Sequence, residues 1–212
     1  MHRVRIPFLP LLLALLPAML LGGCMGGSST IPRDHYYRLP PGGTSAPHPR
    51  PRLNGSLEIG SLQASGMLNE RAILFVREQQ PLEINPYHYY YWVNAPASLV
   101  QRHLLEYLRH SGLAEEVYRY RADSPADFRL DGSLLHFERH LGKNGVTAEV
   151  ELELLLRDNQ RDRLLLRRHY RQKQAASGGD MADTARAFGE ALEAIYARFS
   201  RDLAQTLAAN GP

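Results

Sequence analysis

One cysteine, Cys24, is present among 212 residues. An internal disulfide is therefore excluded, and so is any zinc site that needs two or more thiolates. The chain also lacks a large charge excess: 25 Lys and Arg stand against 22 Asp and Glu, for a formal net charge of +3. Arg3 and Arg5 lie in a segment read below as removed, which leaves the remainder at about +1. A protein that grips a phosphate backbone usually carries a strong positive excess, so nucleic acid is not an expected partner. The motifs of several large enzyme classes are missing: there is no G-x-S-x-G, no G-x4-G-K-[ST] and no G-x-G-x-x-G. Internal repeats are absent as well. The uncharged apolar run from Ile6 to Leu21 is 16 residues long and interrupted by Pro7, Pro10 and Pro17, short of the ~20 residues that span a bilayer as a helix. What remains is globular in composition, 44% hydrophobic and 22% charged, which argues against a wholly disordered or collagen-like chain.

The N-terminus has the organisation of a secretory signal. Arg3 and Arg5 form a positive start, the apolar run follows, and small residues precede Cys24. The ending Leu21-Gly22-Gly23-Cys24 resembles the lipobox of bacterial lipoproteins. The resemblance implies that residues 1–23 are removed, that the Cys24 thiol carries a diacylglyceryl group, and that the new amine is acylated, with palmitate-type chains. Each buried CH₂ contributes about 0.8 kcal/mol, so two or three chains hold a protein at a membrane essentially permanently. Met25, not Asp, follows the cysteine. In the usual sorting rule this favours the outer membrane, facing the periplasm. Apart from this covalent lipid no cofactor is expected.

Residues 24–54 are rich in Gly, Ser and Pro and read as a tether. Within them, His35-Tyr36-Tyr37-Arg38-Leu39 could form an edge strand on the body. Residues 55–208 read as one folded domain, with a core sustained from Leu57 to Leu207. Leu57–Leu62 and Ala72–Glu78 are expected strands. A further extended stretch begins at Pro81 and ends in Tyr87-His88-Tyr89-Tyr90-Tyr91-Trp92-Val93. Pro96 opens a helix whose apolar residues Leu99, Val100, His103, Leu104, Tyr107 and Leu108 recur at helical spacing, with Gly112 as its stop. Glu116–Arg121 and Asp127–His140 are expected strands, the second with a phase switch that predicts a bulge near 134–136.

Gly142–Gly145 is a turn, and Thr147–Arg157 alternates Glu149, Glu151 and Glu153 with Ala148, Val150, Leu152 and Leu154. Arg163–Lys173 returns beside it. The register expected for this hairpin sets Glu153 opposite Arg167, Glu151 opposite His169 and Glu149 opposite Arg171. Arg168 opposite Leu152 is a misfit in that register. Asp180 caps a long final helix with Asp183 in the capping-box position. Its stripe Phe188, Leu192, Ile195, Phe199, Leu203 and Leu207 faces the core. The expected fold class is α+β: a mostly antiparallel sheet with two amphipathic helices on one face, preceded by a signal peptide and a flexible tether.

Candidate chemistry is sparse. His136 and His140 are four strand residues apart, about 13 Å, too far for one metal ion. His103 and His110, two helical turns apart, are also too distant. Glu149 and Glu151 would sit about 6.7 Å apart, within glycosidase range, but three glutamates facing Arg167, His169 and Arg171 fit a solvated sheet face better. Tyr89, Tyr91 and Trp92 are candidate contacts for a partner or a lipid, against the alternative that such aromatics serve a core.

Several features together resemble the ABC-type transport auxiliary lipoprotein family, which includes the PqiC-type proteins. They are the lipobox, the Tyr36-Tyr37-x-Leu39 motif, the step Tyr91-Trp92-Val93-Asn94-Ala95-Pro96 into the first helix, and the later order of strand, hairpin and closing helix. The resemblance implies a non-enzymatic periplasmic lipoprotein. It would accompany an ABC transporter permease and ATPase and an MCE-domain protein, in a system thought to move lipids between two membranes. ATP hydrolysis would belong to another subunit, and homo-oligomers are conceivable. Cys24 is the one functional residue the resemblance carries over. The alternative is an outer-membrane lipoprotein that supports another envelope assembly.

Overall fold

The computed structural model of the protein describes residues 32–43, 47–119 and 125–210. The leader 1–23, Cys24, the first part of the tether and Arg121 lie outside the described residues. Among the described residues, eight strands and two α-helices follow one another as β1 His35–Tyr37, β2 Leu53–Gln63, β3 Ala72–Arg77, β4 Gln80–Trp92, α1 Pro96–Ser111, β5 Ala114–Arg119, β6 Phe128–Gly142, β7 Gly145–Asp158, β8 Arg163–Ala175 and α2 Met181–Asn210, with a 3₁₀ turn at Gly66–Asn69. The fold is α+β, as expected.

The sheet is organised around β6. Along one edge β6 pairs antiparallel with β7 from Phe128 to Gly142, and β7 pairs antiparallel with β8. The other edge of β6 is shared between two strands. β2 takes Phe128–Ser133 and β3 takes Glu138–Leu141, both in parallel. The division falls at a register shift between Leu134 and His136, where the bulge was expected. A bulge bends its strand and sharpens the local twist, so the sheet splays there into two arms. One arm runs β2–β5, the other β3–β4–β1. The long ladders are the antiparallel ones, and the pairs that join the arms to β6 are parallel.

Both helices cover one face. The α2 stripe Phe188, Leu192, Ile195, Phe199 and Leu203 is fully buried, against Ala148, Val150, Leu152, Leu154 and Leu156 of β7, also fully buried. Each of these Val, Leu, Ile and Phe side chains contributes about 1.5–3 kcal/mol when removed from water. The helices meet where Tyr107 and Tyr196 approach at 5.1 Å between ring centroids. Asp180 caps α2 by accepting a bond from the Asp183 amide at 2.6 Å. The Asp183 carboxylate does not close the capping box; it accepts from Ser177 Oγ at 3.0 Å and from Arg186. Helix α1 stops at Gly112 in the left-handed conformation, φ 61°, which glycine adopts without steric cost.

Two expectations are corrected. The β7–β8 hairpin pairs Glu153 with His169, Glu151 with Arg171 and Glu149 with Lys173, two residues away from the expected register. A shift of two keeps every side chain on its face, so alternation cannot distinguish the registers. The turn decides it. Asp158 accepts from the Arg161 amide at 3.0 Å, Asp162 has φ 46°, and a further shift lies between Leu156 and Arg157. Arg168 now lies opposite Leu154, still on the helix side, and is exposed.

The expected edge strand is present as β1, which pairs with β4 in parallel. The second correction concerns the later part of the stretch read as tether: Leu39 is buried, and a Cβ on Gly189 of α2 would lie 2.4 Å from Pro40. His48 and Arg52 donate backbone bonds to Ser111 and Leu113, and β2 already begins at Leu53. Gly and Pro here shape a strap closely fitted to the body.

Candidate functional site

The aromatic end of β4 is built by parallel pairing with β1, which sets His35 beside Tyr90, Tyr36 beside Tyr91 and Tyr37 beside Trp92. The His35 and Tyr90 rings stack at 5.3 Å, and those of Tyr36 and Tyr91 at 5.7 Å. The Arg71 guanidinium lies 5.6 Å from the Tyr36 ring centre. Tyr36 is 52% exposed and Tyr89 44% exposed. Tyr91 is half-buried, and its hydroxyl donates to the His88 carbonyl. Trp92 is 1% exposed, packed between Phe137 at 5.4 Å and Phe188 at 5.5 Å. Among the three candidate contacts, the structure thus leaves Tyr89 and Tyr91 at the surface and corrects Trp92 to a core residue. The reason is parity: Trp92 falls on the helix-facing side at the point where β4 meets α2. Cys24 lies outside the described residues.

The sheet face opposite the helices holds the glutamates. Expected as a solvated row, they are covered: Glu149 is 0% exposed, Glu138 2% and Glu151 8%. The register brings Glu138 of β6 beside Glu149 of β7 and His136 beside Glu151. Glu149 Oε2 lies 2.8 Å from His140 Nε2 and 3.0 Å from Lys173 Nζ, while Arg171 binds its other oxygen. Glu151 is met by His169 at 3.1 Å and Arg171 at 3.4 Å. Glu153 accepts from Arg167 at 2.8 Å. Burial pushes the Glu138 carboxyl up, against the opposing pull of His136. Burial also pushes Glu149 up, but bonds from Lys173 and Arg171 outweigh it and leave the carboxyl below its usual range. Burial lowers His140, with Glu149 opposing.

The arrangement is a roofed ion-pair layer. Its long basic side chains shield carboxylates that would otherwise be too costly to bury. Such carboxylates are committed to their cations and do not present the free acid–base pair of a glycosidase. Sequence reasoning found Glu149, Glu151 and Glu153 by their alternation. It missed Glu138, because only the β6–β7 register places it beside them. Among the described residues, no three His, Cys, Asp or Glu side chains are grouped to hold a metal ion.

A cavity of about 880 Å³ lies between α1 and the strap, lined by Arg38, Leu39, Pro40, Leu99, Arg102 and His103 among others. His103 is 3% exposed and neither ring nitrogen has a hydrogen-bond partner among the described residues. Burial lowers its pKa, with Glu193 and Glu106 opposing. The imidazole is therefore held neutral under Gly42, whose Cβ, if present, would sit 3.3 Å from the ring.

The family model of the ABC-type transport auxiliary lipoprotein component matches residues 37–200, from the second tyrosine of β1 to the last third of α2. The chain belongs to that family. The crystal structure of protein XCC0632 from Xanthomonas campestris resembles it with a TM-score of 0.68 at 20% identity, covering 81% of this chain and 96% of that one. A second crystal structure, of an uncharacterized protein, gives a TM-score of 0.63 at 14% identity, with 81% and 99% covered. At such identities the likeness shows the fold. A search of curated proteins gives no match. The matched span begins at the last residue of β1 and includes the strap, so this family's domain starts within the residues first read as tether.

Proposed function

We propose that this lipoprotein is a non-catalytic component of an envelope lipid-transport system, anchored through a diacylglyceryl-modified Cys24 at the outer membrane and facing the periplasm. Its partners in this reading are an ABC permease and ATPase and an MCE-domain protein. The observation that carries it is the family match over residues 37–200, downstream of Leu21-Gly22-Gly23-Cys24. No helix among the described residues is long and apolar enough to cross a membrane, so attachment would rest on the acyl chains. The rim of exposed Tyr36 and Tyr89 and half-buried Tyr91 is where contact with a partner is first sought. Tyrosine offers a large rigid contact area with a polar tip.

The test is a crosslinked pull-down of the tagged full chain from native envelopes, read by mass spectrometry, with Cys24→Ser as control. Recovery of ABC and MCE subunits is expected, together with loss of the Cys24→Ser variant from membrane fractions. Retention of that variant on membranes in detergent-free buffer would remove the anchor. Recovery of barrel or scaffold proteins alone, at high coverage, would replace the transport role by support of another envelope assembly.

A further inference from the structure

Basic side chains of residues 50–52 and of α2 line cavities apart from the three regions described so far. Residues 47–52 run back along the C-terminal end of α1, fixed there by the His48 amide donating to the Ser111 carbonyl at 2.7 Å and the Arg52 amide to Leu113 at 2.9 Å. Between this segment and α2 lie two cavities that share His48, Arg52 and Ala204, of about 430 and 340 Å³. Arg50, Arg52 and Arg201 line them, and no Asp or Glu does among the described residues. The floor contains Ser200, 6% exposed, whose Oγ has no hydrogen-bond partner among the described residues. Pro49, Pro51 and Leu207 form an apolar flank.

These features have one chemistry in common. Guanidinium groups suit oxyanions because their donors are planar and forked, and phosphate takes them in pairs. A buried hydroxyl without a partner carries an unmet desolvation cost, which an acceptor oxygen removes. Like charges lining one cleft without a counter-acid repel one another until an anion enters. Burial and the adjacent Arg52 charge both hold His48 below its ordinary pKa, so the cleft already penalises a further cation. We infer that the cavity of about 430 Å³ between residues 48–52 and α2 binds a phosphate group, held by Arg52 and Arg201 with Ser200 Oγ at its floor, beside the second cavity that Arg50 lines. The apolar flank would take whatever the phosphate is attached to. The inference does not depend on the anchor or on the transport partners.

The test is calorimetric titration of the full chain, held in a phosphate-free maltoside detergent, with three probes: inorganic phosphate, dihexanoyl phosphatidylglycerol and uncharged dihexanoylglycerol. Saturable binding of a phosphate-bearing probe is expected, with none for dihexanoylglycerol. The double variant Arg52→Gln/Arg201→Gln is expected to weaken it at least tenfold, and Ser200→Ala by a few-fold. All three side chains lie outside the main core stripe, and an unchanged thermal midpoint and far-UV spectrum would show that the variants fold. A phospholipid at least tenfold tighter than inorganic phosphate would assign the source to a lipid headgroup. Equal affinity would assign it to a soluble phosphate or phosphate ester. No saturable binding of either phosphate probe, equal binding of the uncharged one, or undiminished binding by the folded double variant would overturn the assignment.

Discussion

His103 sits on the apolar face of α1, between Leu99 and Tyr107, yet it is not a ligand to anything described. Its ring stands 5.8 Å from that of Tyr196 and both nitrogens are buried. Burial lowers its pKa from the ordinary 6.5 more than the Glu193 and Glu106 carboxylates raise it. The folded protein therefore binds the proton less well than the unfolded chain. The stabilisation from a neutral His103 is complete above about pH 6.5 and is lost as the pH falls through that value toward the folded one. His140, lowered by burial on the opposite sheet face, acts in the same direction and the same window. Replacing His103 by Phe keeps a ring and removes two unsatisfied nitrogens. At pH 8 the variant is expected within about 1 kcal/mol of the parent. Between pH 7 and 5 its thermal midpoint should fall less steeply. Parallel slopes in the two proteins would mean that this imidazole takes no part in the acid sensitivity. At the same scale, Trp92→Ala opens the joint between Phe137 and Phe188 and is expected to cost about 3–5 kcal/mol in urea unfolding.

At the scale of elements, the ion-pair layer across β6, β7 and β8 has the largest predicted effect. Arg171 reaches both Glu149 and Glu151 and is itself half in solvent. Its loss leaves a fully buried Glu149 with only Lys173 and His140. Arg171→Ala is therefore expected to cost about 1–3 kcal/mol, while Arg167→Ala, whose partner Glu153 lies nearer water, should leave stability nearly unchanged. Equal losses in chemical denaturation would contradict a buried layer. The contrast also shows what a sequence can and cannot reveal about such an element. Glu149, Glu151 and Glu153 alternate with Val150, Leu152 and Leu154, and a period of two is enough to assign the strand and its faces. The bulge in β6 was legible for the same reason, since Leu135 breaks the alternation that runs through Leu134. Pairing partners were not. The two-residue shift of β7 against β8 leaves the pattern unchanged, and nothing local in β2 announces that it lies in parallel between β5 and β6. Glu138 entered the acidic layer through the register of the β6–β7 hairpin alone.

On the scale of the whole molecule, the strap Leu39–Gly43 joins parts that the sheet holds separately. It leaves β1 at the end of one sheet arm, buries Leu39, sets Pro40 on Gly189 of α2, and lays Gly42 and Gly43 over His103 and His110 of α1. The Gly43 amide also donates to the Glu193 carboxylate at 3.1 Å. Composition concealed this, because close fitting of a Pro and two Gly against helices follows no period. The family match beginning at residue 37 fits a strap that belongs to the domain. Gly189→Ala tests the arrangement with one carbon. A Cβ there would lie 2.4 Å from Pro40 Cγ and 2.9 Å from its Cδ, so strap or helix must give way. Alanine favours helix by up to ~1 kcal/mol over glycine, so α2 itself should hold and the strap should be displaced. Overpacking of this kind costs about 1–3 kcal/mol. Arg38 and Arg52 are exposed in or beside the strap, and trypsin is expected to cut after them several-fold faster in the variant while the fragment running through β3 to α2 stays intact. An unchanged digestion rate together with an unchanged midpoint would show that Pro40 does not bear on α2. The strap would then be joined to the body chiefly through β1 and Leu39.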